Sequence, residues 1–269
     1  MSKVLITNNS SVSSIKTPGS VTDKDALNFL IAADIEYPYQ QKAIKQLVYY
    51  LKYYNLWDKI YTLYPFVGGT EDSHKYNLKD PSSFQLTWSG TITHSNTGVN
   101  PDGISGRALS GWIMNSEIAD TDGFGYLYYA RESLPTTTSE TLMQGWNSAV
   151  NEVWGFNHGA TNVSLLLGSQ ISAPNLSHTT SGLYIGTGKY LSNMRSWYND
   201  NFYQSISLAP LQDLNREIPF FCRQYALGYA RYSSVECGMI AFIDYLSEEE
   251  GYNLYSTIQR YQTALNRNV

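Results

Sequence analysis

The sequence has few charged residues, two cysteines and no long apolar run. Charged side chains make up 15 % of the 269 residues, against roughly 25 % in an average soluble protein. Low charge combined with 14 % aromatic residues argues against a disordered chain. The net charge of −5 argues against a nucleic-acid partner, which needs a basic face. Even the longer apolar runs, such as Leu165–Leu167, fall far below the roughly 20 residues that span a bilayer, so we expect no membrane partner.

The amino terminus lacks the apolar segment of roughly 7–15 residues that a secretory signal requires. Its only apolar run is Val4–Ile6. We therefore expect a chain that is made in a host cytoplasm. Cys222 and Cys237 are then expected to be reduced and packed as small apolar side chains. A disulfide between them would require their strands to lie side by side, which spacing alone does not establish.

Motifs for metal binding and catalysis are also missing from the sequence. The four histidines (His74, His94, His158 and His178) do not have the spacing of a zinc motif. No Gly-x-Ser-x-Gly nucleophile motif occurs. No predicted strand carries two carboxylates on one face, as glycan hydrolysis would require. We therefore expect no metal, no cofactor and no enzymatic activity.

The first 63 residues predict an arm followed by helices. Residues 1–20 are rich in Ser, Thr and Asn and predict an extended arm. Residues 21–63 predict a helical segment, with Thr22 as the first N-cap and Pro38 in the first turn of a second helix. The apolar residues of this second helix have the spacing of one helical face: Ile44, Leu47, Val48 and Leu51.

Residues 64–269 have the sequence pattern of an antiparallel sandwich, with short β-branched and aromatic runs between Gly-, Asn- and Ser-rich turns. The candidate strands are Phe84–Thr93, Gly125–Ala130, Val163–Ile171, Gly182–Gly186, Ile218–Ala226 and Gly238–Phe242. Ser247 and Glu250 form a capping-box pattern that predicts a closing helix at about 247–267. The predicted fold class is mainly β, a two-sheet antiparallel jelly-roll sandwich preceded by a helical segment and closed by a helix.

Two segments of the chain resemble a known family. One is Asn55–Thr70, Asn-Leu-Trp-Asp-Lys-Ile-Tyr-Thr-Leu-Tyr-Pro-Phe-Val-Gly-Gly-Thr, followed by His74–Pro81 and Thr93–Gly103. The other is the ending, Leu246–Glu250 and Leu254–Arg267. Together they resemble the concanavalin A-like (laminin G-like) jelly-roll domains of bacteriophage virion proteins, especially fibre, tail and baseplate-associated ones. The family often has Gly at the position of Asn55. The resemblance implies a jelly roll in a virion, and it carries no residue roles.

Trp112 and Trp154 are the candidate glycan-binding residues. Each has Gly and Asn nearby, in loop-like sequence. Aromatic rings offer flat apolar surfaces, against which the apolar face of a sugar ring can stack. Burial in the core is the alternative for either ring.

The sequence therefore predicts a virion structural protein with a lectin-like jelly-roll module that attaches to host-surface glycan or to other virion proteins. A purely architectural capsid or tail component without glycan binding is the first alternative, and a glycan-cleaving enzyme is the second. The expected partners are other virion proteins, contacted through the amino-terminal arm and helices, host-surface polysaccharide, and further copies of the chain in a homo-oligomer.

Overall fold

The computed structural model describes residues 23–113, 123–135, 140–147, 152–158, 163–168, 170–176, 180–189, 193–206, 217–225 and 228–269. The predicted arm at residues 1–20 therefore lies outside the described residues. No helix in these ranges is long and apolar enough to cross a bilayer.

Four α-helices lie in the described ranges: α1 Lys24–Ala32, α2 Pro38–Tyr53, α3 Glu71–His74 and α4 Glu248–Ala264. The cap predicted at Thr22 is wrong, because the side chain of Asp23 accepts the hydrogen bond from the N–H of Asp25 at the start of α1. Pro38 is the first residue of α2, as its fixed backbone angle favours. Ser247 and Glu250 form the predicted capping box on α4.

The strands follow one another with few helices between them. They are β1 Ile60–Tyr64, β2 Thr87–Ser89, β3 Ile92–Ser95, β4 Gly98–Pro101, β5 Arg107–Leu109, β6 Gly123–Ala130, β7 Glu140–Asn147, β8 Glu152–His158, β9 Val163–Gly168, β10 Gln170–Leu176, β11 Gly182–Lys189, β12 Asn193–Tyr198, β13 Asn201–Ile206, β14 Arg223–Tyr225, β15 Gly228–Ala230 and β16 Cys237–Ile243.

Two sheets hold most of these strands. The large sheet has the order β13-β12-β11-β6-β16-β4-β3, and β1 also pairs with β16. The small sheet has the order β10-β9-β8-β7-β14-β15. The pairings are antiparallel except for β14 beside β7, where Arg223 lies opposite Gln144. The predicted mainly β two-sheet sandwich with flanking helices is therefore confirmed.

The large sheet is covered on both faces, which makes three layers. Along β6 the side chains alternate: Tyr126 and Tyr128 pack in the core shared with the small sheet, through Phe156 of β8. Leu127 and Tyr129 pack in a second core. That second core contains apolar side chains of α1, α2 and α4. All eight residues of β6 are buried, as expected for a strand that is covered on both faces.

Three strand predictions are substantially wrong. Val163–Ile171 was expected as one strand, but β9 ends at Gly168 and β10, which pairs antiparallel with β9, begins at Gln170. Phe84–Thr93 was expected as one strand, but β2 and β3 are separate and a turn at Gly90, with φ of 75°, lies between them. In Ile218–Ala226 only Arg223–Tyr225 is a described strand. The apolar residues before it are buried without belonging to a strand. The apolar run there reflects burial in the core and not a strand.

The structure accounts for two features of the sequence. Asn55 has φ of 57°, a left-handed conformation that Gly adopts freely and Asn tolerates. Cys222 and Cys237 are free thiols, both buried, which confirms the expected packing. Burial raises the pKa of the Cys222 thiol to about 12.

Candidate functional site

A cleft lies between the turn that joins α1 to α2 and the segment around α3. Its volume is about 740 Å³, within the roughly 300–1,000 Å³ of small-molecule sites. Residues 32–40 form one wall and residues 68–76 form the other. The lining residues are Ala32, Ala33, Asp34, Glu36, Tyr37, Gln40, Gly68, Thr70, Asp72, Ser73, Lys75 and Tyr76.

The first wall is a tight reversal of the chain after α1. Asp34 has φ of 51°, which a short polar side chain tolerates better than a branched one. The N–H of Ile35 then donates to the carbonyl of Leu30 at 3.1 Å, and the Ile35 side chain is buried. Because Ile35 points inward, its neighbours Asp34 and Glu36 are exposed at the cleft.

The second wall depends on a close backbone approach at Gly68. Gly68 has φ of 101°, and a Cβ there would lie 2.5 Å from Oγ of Ser73 and 2.8 Å from Cδ1 of Ile35. Thr70 and Ser73 form a capping box at α3: Thr70 Oγ1 accepts from the Ser73 N–H, and the Thr70 N–H donates to Ser73 Oγ, both at 3.1 Å. The two walls are therefore in contact at the base of the cleft.

Gln40 is a buried polar side chain in the lining of the cleft. It is 1 % exposed, and its Oε1 has no hydrogen-bond partner among the described residues. Its Nε2 lies 3.4 Å from Oη of Tyr39 and 3.5 Å from Oδ1 of Asn96. A buried acceptor without a donor costs roughly 1–3 kcal/mol. Gln40 therefore places in the cleft lining a buried amide whose oxygen has no donor among the described residues.

Two exposed tyrosines lie at the start of α2 beside the buried amide. Tyr37, in the cleft lining, is 54 % exposed, and Tyr39 is also exposed. Their ring centroids are 6.0 Å apart and the planes are tilted by 41°. Such rings combine a flat apolar face with a hydroxyl that donates and accepts. Tyr37 therefore provides a stacking surface next to the Gln40 acceptor.

Acidic side chains dominate the charge of the cleft. Its charged lining residues are Asp34, Glu36, Asp72 and Lys75. Lys75 Nζ lies 2.9 Å from Asp72 and 5.3 Å from the ring centroid of Tyr76. The hydrogen bond to Asp72 raises the pKa of the Lys75 ammonium. The one lysine is thus held on the second wall, whereas Asp34 and Glu36 lie on the first.

A side groove of about 410 Å³ adjoins the cleft and shares Ala32 and Tyr76 with it. Its other lining residues are Asn28, Ile31, Asp80, Pro81, Ser82 and Gln85. Ile31 is an exposed apolar side chain. The shared residues make the two depressions neighbours along α1, so an elongated ligand can occupy both.

A pair of histidines supports the second wall from behind. Nε2 of His74 accepts the N–H of Gly69 at 3.2 Å, so the His74 proton is on Nδ1. That Nδ1 lies 3.1 Å from Nδ1 of His94 and donates to it. Burial lowers the pKa of both rings, that of His74 strongly. A proton on His94 Nδ1 would place two N–H groups against each other.

Trp112 is not a sugar-stacking surface. Its ring is 1 % exposed and packs in the sandwich core against Phe242, Phe124 and Tyr61, at centroid distances of 4.6, 5.3 and 5.8 Å. The alternative of core burial therefore holds for Trp112. The backbone of Trp154 is in β8, opposite Gly145 and Leu167. Its side chain lies outside the described residues, so its predicted role stays a prediction.

The sequence contained one signal for the cleft that spacing could have revealed. Gln40 is four residues before Ile44, so it extends the apolar stripe of α2 with a polar side chain. A polar residue on a buried helical face is the informative exception. The contribution of the second wall, from residues 68–76, had no comparable signal. In the described ranges, no three His, Cys, Asp or Glu side chains come together to hold a metal ion.

No protein-family model and no curated protein matches this chain. Solved structures do match its fold. A mutant sialidase of Trypanosoma rangeli that displays trans-sialidase activity has a TM-score of 0.55 and 11 % identity, over 81 % of this chain and 39 % of that one. The same sialidase in complex with 2,3-difluorosialic acid has a TM-score of 0.55 and 10 % identity, over 80 % and 39 %.

The receptor binding domain of botulinum neurotoxin C/D mosaic serotype also matches, with a TM-score of 0.51 and 12 % identity, over 74 % of this chain and 51 % of that one. This chain thus spans about two fifths of the sialidase chains and about half of the receptor binding domain. At such identities the likeness shows the fold alone.

The prediction that the chain is not an enzyme is corrected by these matches. It excluded enzymes because no strand carried a pair of carboxylates, but solved structures that share the fold are sialidase chains. A missing motif on predicted strands is therefore no ground for excluding an enzyme. What the comparisons establish is a β-sandwich fold that is shared with sialidases and with a toxin receptor binding domain.

Proposed function

We propose that this chain is a lectin-like sandwich module that binds a glycan in the cleft between α2 and α3. The observation that carries the proposal is the exposed ring of Tyr37 beside the buried, unpartnered Oε1 of Gln40. A sugar supplies what each group lacks, since its C–H face covers the ring and its hydroxyl donates to the amide.

The test is isothermal titration calorimetry of the full chain with oligosaccharides chosen from a glycan array. Tyr37→Ala is expected to weaken binding by about tenfold or more, as truncated anchors at interfaces do. Tyr39→Ala is expected to weaken it by a smaller factor, because Tyr39 is not in the cleft lining but packs beside the ring of Tyr37. Tyr53→Ala is the matched control, because Tyr53 is exposed at the other end of α2. Equal affinity in all three variants, or no binding to any array glycan, would contradict the proposal.

Gln40→Met separates binding from folding. The substitution removes a buried amide that is only partly hydrogen-bonded and keeps a long apolar side chain in the helix, so stability is expected to be unchanged or higher. Affinity is expected to fall, because the acceptor is gone. A variant that loses stability without losing affinity would show that the amide serves packing and not ligand binding.

For the setting of this module we propose a virion, on the resemblance of residues 55–103 and 246–267 to phage jelly-roll domains. In that setting the arm at residues 1–20 and the helices contact other virion proteins, and the cleft takes host-surface glycan. Mass spectrometry of purified particles is the test. Detection of the chain only in the infected-cell lysate, and never in particles, would refute the virion setting while leaving glycan binding intact.

A further inference from the structure

The charges of the cleft are unequally compensated. Lys75 is paired with Asp72 on the second wall. Asp34 and Glu36, on the first wall, are exposed and have no ion-pair partner among the described residues. A ligand in the cleft therefore meets two carboxylates that pair with no cation in the part of the chain that the structure describes.

The uncompensated carboxylates lie beside the stacking ring and the buried acceptor. Glu36 directly precedes Tyr37 in the chain, and Gln40 follows in the first turn of α2. An aromatic face attracts a cation, a carboxylate attracts it too, and an ammonium has three N–H donors and no acceptor. The buried Oε1 of Gln40, at 1 % exposure and without a partner among the described residues, is an independent sign of a ligand that donates.

We propose that the cleft selects glycans that carry protonated amines, that is amino-sugar oligomers, over neutral and carboxylated ones. This inference rests on the proposed glycan-binding function and adds the chemical class of the ligand. A carboxylated sugar would place like charge near Asp34 and Glu36 and would offer no donor at its carboxylate. The elongated surface formed by the cleft and the side groove suits an oligomer and not only a single ring.

The test compares three tetrasaccharides with the same β-1,4-linked gluco backbone: glucosamine, N-acetylglucosamine and glucuronate. Titrations are run at about pH 6 in low salt, where the glucosamine amines are protonated. The glucosamine tetramer is expected to bind about tenfold more tightly than the N-acetylated one, and the glucuronate tetramer at least about tenfold more weakly. In about 1 M salt, where the Debye length is near 3 Å, the preference is expected to shrink to within about threefold.

Two charge-neutralising variants assign the preference to this cleft. Asp34→Asn keeps the left-handed backbone at residue 34, which Asn tolerates, and Glu36→Gln keeps the side-chain shape. Each is expected to reduce several-fold the ratio between the affinity for the glucosamine tetramer and the affinity for the N-acetylglucosamine tetramer. Glu249→Gln is the control, because Glu249 is exposed in the first turn of α4, away from the cleft lining.

The outcomes separate this inference from the proposed function. If the glucuronate tetramer binds as tightly as the glucosamine tetramer, or if Asp34→Asn and Glu36→Gln leave the preference unchanged, the amine proposal is wrong although glycan binding stands. The same conclusion follows if array glycans bind through Tyr37 and Tyr39 but amines bring no gain. If no glycan binds at all, the proposed function fails and this inference fails with it.

Discussion

Removal of the Arg267 guanidinium is expected to destabilise the fold strongly, although Arg267 is the third residue from the end of the sequence. Arg267 is 1 % exposed, and no carboxylate among the described residues pairs with it. Its Nη1 donates to Phe66 O at 2.7 Å. Its Nη2 donates to Pro65 O at 2.7 Å and to Gly238 O at 3.0 Å. Its Nε donates to Gln262 Oε1 at 2.7 Å. The side chain thus ties the end of α4 to the segment after β1 and to β16.

The magnitude follows from which acceptors lose their donor in Arg267→Met. Pro65 O keeps a donor, because Oη of Tyr261 lies 3.1 Å from it. Phe66 O, Gly238 O and Gln262 Oε1 each lose the guanidinium, at roughly 1–3 kcal/mol per buried group. Part of that loss is offset, because Arg267→Met also removes the cost of burying a cation. Apolar replacements of buried charges often leave stability unchanged for this reason. We expect a net loss of about 3 kcal/mol, or a fall in Tm on the order of 8 °C.

Urea denaturation followed by circular dichroism measures this loss. Arg260→Met is the control, because Arg260 is exposed on α4 and its guanidinium lies over the ring of Tyr50. Arg267→Lys keeps the charge but offers three donors without the planar fork, so an intermediate loss is expected. An Arg267→Met midpoint equal to that of the control, at an unchanged m-value, would refute the reasoning. The cost of burying the cation would then equal the benefit of its hydrogen bonds.

Three further changes test the packing around the site and the core. Trp112→Ala is expected to lower the free energy of unfolding by about 3–5 kcal/mol through the cavity it leaves, with unchanged glycan affinity of the folded protein; a selective affinity loss would contradict the core assignment. Burial lowers the pKa of His74 and His94, so the folded state binds fewer protons than the unfolded chain below about pH 6.5. Stability is therefore expected to fall as the pH drops below that value. In His94→Gln the urea denaturation midpoint is expected to depend less on pH; a midpoint that changes with pH as steeply as in the wild type would contradict this. A Gly-to-Ala change such as Gly251→Ala in α4 ordinarily stabilises a helix by about 1 kcal/mol, but the new Cβ would lie 2.2 Å from Cε2 of Trp197. We therefore expect a lower Tm in thermal denaturation. A Tm above that of the wild type would show that the contact relaxes.

The helices could be predicted from the sequence because their signals are local. The apolar residues of α2 recur on one face, and all four of them are buried. The capping box at Ser247 and Glu250 lies within four residues. Such patterns depend on neighbours along the chain and need no knowledge of the sheets.

The strand bounds were harder to predict because burial on both faces removes the alternation. Every residue of β6 is buried, so its sequence reads as one apolar run with no polar face to set the register. The same ambiguity made Ile218–Cys222 look like a strand, although Phe221 has φ of 67° and lies outside any extended element. An apolar run predicts burial, and only pairing decides whether it is a strand.

The candidate site could not be predicted because its two walls are about thirty residues apart in sequence and meet through a close contact. Gly68 and Ile35 approach each other only after α2 has packed on the large sheet. Neither wall contains a recognisable motif. Gln40 was the one local signal, and it has meaning only once its own face of the helix is known to be buried.

The aromatic content could not locate the site, because one residue type, tyrosine, serves two environments in this fold. Tyr126, Tyr128 and Tyr129 lie on a strand of the large sheet, and both faces of that sheet are covered, one by the small sheet and the other by the helices. Rings on such a strand contribute packing and present no accessible face, whatever their number. An accessible ring must therefore come from a loop, a helix or an outer face, which is where Tyr37 and Tyr39 are found. Candidate sugar-binding rings in a three-layer sandwich should accordingly be sought first in the helical layer. The number of aromatic residues becomes informative only when the buried rings of the covered sheet are left out of the count.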